Sequence, residues 1–114
     1  MSVPDEILRA EQVIYNFCQL AVPPDMRNHY RLEFRTRGQT ITVYESRPSW
    51  IPTIHRWLRT PVAQFRLDPH RKTWTLYRAD RAGRWFVLEE IPPSPDVSEL
   101  LNRLHLGPSG IFFR

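Results

Sequence analysis

Arginine and large aromatic residues alternate along two hairpin candidates, and together these residue types can bind anions. A guanidinium group binds phosphate or carboxylate through paired N–H donors and also stacks on aromatic rings. Tyrosine and tryptophan rings stack on unpaired nucleic-acid bases. We predict that seven such residues share one face of a sheet, here called the basic–aromatic face: Arg31, Arg35, Arg37, Tyr44, Arg66, Tyr77 and Trp85.

Three turn sequences place these residues on a common face. Gly38-Gln39 is typical of a two-residue hairpin turn with glycine at its first central position. Residues 68–72 contain Asp-Pro and predict a second turn, and residues 81–83 predict a three-residue loop with a left-handed glycine. The last two turns give consistent registers, which supports the assignment. On the opposite side they predict a core face of Ala63, Phe65, Leu67, Trp74, Leu76, Phe86 and Leu88.

Helical periodicity predicts two further elements. An apolar stripe indicates a helix over residues 5–21, and a second stripe indicates a helix over residues 96–106 that ends at Gly107-Pro108. Residues 47–60 lack strand alternation and predict a connection in which Trp50 and Trp57 pack on the core.

The predicted fold class is therefore α+β. Its order is an N-terminal helix, a five-stranded antiparallel meander-type sheet, a C-terminal helix and a short hydrophobic tail. The tail, residues 110–113, could add a short strand or a hydrophobic anchor. Residues 1–114 are expected to form a single domain.

The composition favours a basic protein of the cytoplasm. The formal net charge is +4, and 15 of the 16 Lys+Arg residues are arginine. No apolar run is long enough to cross a bilayer, so we expect no membrane contact. The N-terminus lacks the pattern of a secretory signal, and one cysteine excludes an internal disulfide, so we expect a cytoplasmic location.

Residues for cofactor or metal chemistry are not clustered in the sequence. Cys18 and four histidines occur singly, without the spacing of a zinc site, and we predict no metal. No glycine-rich phosphate loop is present, and we predict no cofactor and no catalytic residue. A small metal-free nuclease stays an alternative, with His29 or His70 as acid or base beside neighbouring arginines.

Four segments carry a resemblance to a known family. They are RLEFRTRGQTITVYESRPSW, PVAQFRLDP, TWTLYRADRAGRW and GIFF. With these segments the chain resembles the bacterial family called domain of unknown function 3024, over nearly its whole length. The chain departs from the family pattern around Ile51–Arg59. The resemblance implies a small single-domain cytoplasmic bacterial protein, and it implies no activity and no site residue.

The residues themselves predict a binding or interaction module rather than an enzyme. We expect the chain to self-associate through or near the basic–aromatic face, because arginine, tyrosine and tryptophan are typical of protein interfaces. The alternative is binding of single-stranded nucleic acid by the same face. The expected partners are thus a second copy, a nucleic acid or an acidic protein.

Overall fold

The computed structural model describes residues 4–107 and 110–113, and it describes side chains for residues 4–104. The first helix, α1, spans Asp5–Ala21, as its periodicity predicts. Its buried stripe consists of Ile7, Ala10, Ile14 and Cys18. Pro23 and Pro24 end the helical segment and start a single 3₁₀ turn, Pro24–Met26, because proline lacks the N–H that continues a helix. No helix of the described residues is long and apolar enough to span a membrane.

Five antiparallel strands form an open sheet in sequence order, which confirms the predicted α+β class. The strands are β1 Arg31–Arg37, β2 Thr40–Pro48, β3 Trp57–Asp68, β4 Thr73–Ala79 and β5 Trp85–Val87. Each strand pairs with the one before it, so the sheet is a meander.

The three predicted turns close the hairpins in the predicted register. Gly38 has φ +59° and Gly83 has φ +81°, a region in which a Cβ atom would be strained. Asp68 pairs with Thr73, and the Asp68 carboxylate accepts the backbone N–H groups of the two residues after Pro69, His70 at 2.9 Å and Arg71 at 3.2 Å. These side-chain contacts satisfy turn donors that the sheet leaves unpaired.

The core lies between one face of the sheet and the helices. Its most buried sheet residues include Ile41, Val43, Phe65, Trp74 and Leu76. The predicted core face is confirmed at every position except Phe86, which is 47% exposed. Phe86 lies on the last strand opposite the exposed Arg78, where an edge strand has a neighbour on one side only.

The second helix is shorter than predicted. Helix α2 spans Val97–Leu101, and the Asp96 carboxylate caps it by accepting the Ser98 N–H at 2.9 Å. The chain then forms strand β6, Leu104–Gly107, which pairs with β7, Gly110–Phe113. The prediction of a helix to residue 106 was wrong. A short apolar run fits the periodicity of a helix or of a strand, and here pairing with the tail selects the strand. Of the two alternatives for the tail, the structure shows the short strand.

The connection between β2 and β3 is also shorter than predicted. Both strands extend into it, so that Pro48 pairs with Trp57 and residues 49–56 remain as the loop. The expectation that both tryptophans pack on the core was wrong. Trp57 is partly buried but lies on the face opposite the core, and Trp50 is 85% exposed. A β-bulge at Val62 accompanies the extension, since Val43 pairs with Ala63 while Tyr44 pairs with Pro61.

Candidate binding face of the sheet

The face of the sheet opposite the core carries its side chains in rows that run across the strands. One row joins Arg37, Thr40, Arg66 and Thr75. The next row joins Arg35, Thr42, Gln64 and Tyr77. Because opposite residues of antiparallel strands point to the same side, these rows place the predicted arginines together.

A groove of about 810 Å³ follows these two rows over β1, β2 and β3. Four of the seven predicted residues line it: Arg35, Arg37, Tyr44 and Arg66. The polar lining is completed by Thr36, Thr40, Thr42 and Gln64. The groove therefore offers guanidinium, hydroxyl and amide groups and no carboxylate.

Arg66 is held in place at the floor of this groove. Its guanidinium carbon lies 3.8 Å from the centroid of the Tyr77 ring. Its Nε donates to Gln64 Oε1 at 2.6 Å, and Gln64 Nε2 donates in turn to Thr42 Oγ1 at 2.9 Å. A guanidinium has five N–H donors, so this arrangement leaves the four on the terminal nitrogens for a ligand.

Arg35 and Arg37 are exposed at the rim of the groove on β1. Within residues 4–104, for which side chains are described, neither of them forms an ion pair or a side-chain hydrogen bond. No carboxylate of these described residues therefore neutralises their charge. The ion pairs found there join other residues: Arg59 with Glu33, Lys72 with Glu6 and Arg84 with Asp80.

Arg31 belongs to a different environment, near the start of β1. Its guanidinium carbon lies 3.8 Å from the centroid of the Trp57 ring, and its Nε donates to the Arg27 carbonyl oxygen at 2.9 Å. Arg31 therefore shares the face with the groove arginines but not the groove itself.

A carboxylate forms an ion pair at this same end of the face. Arg59 Nε lies 3.0 Å from Glu33 Oε2, and the fully buried Ser46 hydroxyl donates to the same oxygen at 3.2 Å. Tyr44 pairs with Glu33 across β1 and β2, at the boundary between this ion-paired end and the groove. The face is therefore divided into an end that contains an ion pair and a groove whose arginines have no described carboxylate partner.

The two remaining predicted residues lie toward the far edge of the sheet. Tyr77 on β4 is partly exposed and supports Arg66 by stacking. Trp85 on β5 is also partly exposed and pairs with Ala79, so it shares the face but lies two strands away from the groove.

The residues considered for acid–base or metal chemistry do not come together. His29 precedes β1, whereas His70 lies in the turn at the other end of the sheet, between β3 and β4. Cys18 is buried in the core, and this burial, with a smaller effect of the Glu33 carboxylate, raises the pKa of its thiol to about 12. No group of three or more potential metal ligands occurs among the described residues.

Sequence reasoning missed Trp57 and Arg59 as members of this face. Alternation counted back from Gln64 would place Leu58 there instead, and the bulge at Val62 reverses that parity. A signal was present at Pro61, because proline cannot donate a ladder hydrogen bond and often accompanies a bulge.

Comparison with known proteins identifies a family. The family model described as "Domain of unknown function (DUF3024)" matches residues 3–114. No curated protein and no solved structure matches the chain significantly. Since the family model covers essentially the whole chain, the protein belongs to the DUF3024 family.

Proposed function

We propose that the protein binds single-stranded nucleic acid in the groove of the basic–aromatic face. The observation that carries this proposal is the set of three groove arginines without a carboxylate partner among the described residues. Two are free at the rim, and the third is held on a tyrosine ring with its terminal donors unused.

The spacing of the arginines favours a ligand with several negative charges. Arg37 and Arg66 lie in one row, two strands apart, so their backbones are separated by roughly 10 Å. Two charges about 10 Å apart in water repel each other by about 0.4 kcal/mol. The cost is small, but no described carboxylate offsets it, and a chain of phosphates would contact all three groups at once.

A second copy of the same face is a less suitable partner for the groove. Pairing of identical faces around a twofold axis would bring two sets of unpaired arginines against each other. Like charges juxtaposed at an interface oppose association. The groove chemistry therefore favours a polyanion over the self-association that the composition alone suggested for this face.

Stacking groups favour an unpaired strand over a duplex. Tyr44 lies at the groove, and the Arg66 guanidinium, supported by Tyr77, presents a flat surface on which a base can stack. Aromatic rings and arginine planes bind unpaired bases in this way, whereas bases of a duplex are already stacked on each other.

Fluorescence anisotropy titrations test the proposal directly. The probes are a labelled single-stranded RNA, the same sequence as DNA, its duplex, and a labelled poly-glutamate of similar charge, each at low and moderate salt. We expect tighter binding of a single strand than of the duplex or poly-glutamate, and weaker binding at the higher salt. Absence of binding at low salt would overturn the proposal, and equal affinity for poly-glutamate would point instead to an acidic protein partner.

A further inference from the structure

We infer that two copies of this chain pair along the outer edge of β5, Trp85–Val87, to form one continuous antiparallel sheet. In the described residues the five-stranded sheet ends at β5, which has β4 as its only neighbour. An unpaired strand edge presents backbone N–H and C=O groups that another strand can bind. This inference concerns a different surface from the groove and does not depend on nucleic-acid binding.

The hydrogen bonds of β5 define which residues point outward. The Leu88 N–H donates to the Leu76 carbonyl at 3.2 Å, and the Arg84 carbonyl accepts from the Asp80 N–H at 2.9 Å. Because hydrogen-bonded pairs occur at every second residue of an antiparallel strand, the backbone N–H and C=O groups of Phe86 also point toward β4. The backbone groups of Trp85 and Val87 therefore point to the open edge.

This pattern is self-complementary in one antiparallel register. With Phe86 on the twofold axis, Trp85 of each chain lies opposite Val87 of the partner subunit. Both residues of each such pair have outward backbone groups, so the register satisfies them completely. A register shifted by one residue would place an outward residue opposite one that already bonds β4.

The same pairing would bury apolar side chains at this edge. Phe86 is 47% exposed and Val87 is 42% exposed. Phe86 would contact Phe86 of the partner subunit on one side of the new sheet, and Trp85 would contact Val87 of the partner subunit on the other. Exposed apolar residues on an edge strand are uncommon unless something pairs with or protects the edge.

Charges flank β5 in an arrangement that suits antiparallel pairing. Arg81 precedes the strand, whereas Glu89 and Glu90 come after it, and all three are exposed. Among the described residues none of the three forms an ion pair. A twofold axis through Phe86 brings the loop that carries Arg81 toward Glu90 of the partner subunit, and this complementarity identifies a second copy as the occupant of the edge.

The dimer should be weak, because a three-residue edge buries much less area than a standard interface. We therefore expect a dissociation constant between micromolar and millimolar, and sedimentation equilibrium of the full chain at submillimolar concentration is the suitable measurement. Phe86→Glu should leave the protein monomeric, because it places two carboxylates together at the axis. Leu8→Glu, a residue of α1 that is 51% exposed, is the matched control and should still dimerise.

A charge exchange separates edge pairing from a general loss of apolar surface. Arg81→Glu should weaken the dimer, and the double variant with Glu90→Arg should restore it. Hydrogen exchange gives an independent readout, since dimerisation should slow the amides of Trp85 and Val87 and leave that of Phe86 unchanged. A monomer at every concentration would overturn the inference, as would a dimer insensitive to both Phe86→Glu and the charge exchange. No nucleic acid is present in these measurements, so their outcome is separate from that of the proposed binding.

Discussion

Replacing one groove arginine should reduce the salt dependence of nucleic-acid binding by a calculable amount. Arg35→Gln removes a free guanidinium from the rim of the groove without breaking a side-chain contact of the described residues. Arg78→Gln is the matched control. This substitution removes the same charge, but Arg78 is exposed on the opposite side of the same sheet. A comparison of the two variants separates the local contact from the net charge of the protein.

The expected magnitude depends on the number of phosphates that the groove can neutralise. Three arginines give a slope of log K against log salt of about −2.1, at about −0.7 for each phosphate of a single strand. Affinity should then fall about 18-fold between roughly 50 and 200 mM salt. With Arg35→Gln the slope becomes about −1.4, and the same change of salt should cost only about 7-fold.

Anisotropy titrations of a labelled single strand at four or more salt concentrations would supply both slopes. Arg78→Gln should keep the slope of the unmodified protein. If Arg35→Gln and Arg78→Gln change the slope equally, the binding depends on overall charge rather than on the groove. Circular dichroism of each variant would show that the sheet is intact.

Three further predictions concern the fold. Because the pKa of Cys18 is raised, ionisation of its thiol favours the unfolded chain between pH 9 and about 12. Raising the pH from 8 to 10 should therefore lower the free energy of unfolding, measured in urea, by about 1.4 kcal/mol more in the wild type than in Cys18→Ala. Equal pH profiles of the two proteins would contradict this. The pKa of Asp80 is lowered mainly by the hydrogen bond from the Arg84 N–H. The stability that the ionised Asp80 gives to the fold should therefore be lost as the pH falls below the ordinary carboxyl range, and the stability of Asp80→Asn should depend less on pH in acid. Gly83→Ala should destabilise the protein by about 1 kcal/mol, because alanine is strained at φ +81°, and an unchanged melting temperature would refute it.

The parts of the fold that the sequence predicts well are those decided by local chemistry. Gly38, Asp68 and Gly83 each act within their own turn, through a left-handed backbone or a side-chain hydrogen bond. Once a turn is placed, the period of two fixes the side of every residue up to the next irregularity. This is why the sequence alone suffices to assign Arg35, Arg37, Tyr44 and Arg66 to one face.

The parts that sequence reasoning missed depend on pairing between distant segments. Residues 102–106 continue a helical pattern, yet the helix ends at Leu101 and the tail strand pairs with residues 104–107. Residues 57–60 do not continue the alternation of residues 63–68, because the bulge at Val62 interrupts it. In both places the local pattern fits two structures, and only a partner elsewhere in the chain selects one.

The bulge at Val62 also explains how the face keeps a region of free positive charge. It turns Arg59 and Trp57 toward the basic–aromatic face, where Arg59 engages Glu33. Without the bulge, Arg59 would point to the core side, and the Glu33 carboxylate would be free to neutralise Arg35, which lies two residues along the same strand and face, about 7 Å away. Since the ion pair holds Glu33 at the other end, the groove keeps its unpaired arginines. The irregularity in β3 thus links the fold of the sheet to the charge pattern on which the proposed function rests.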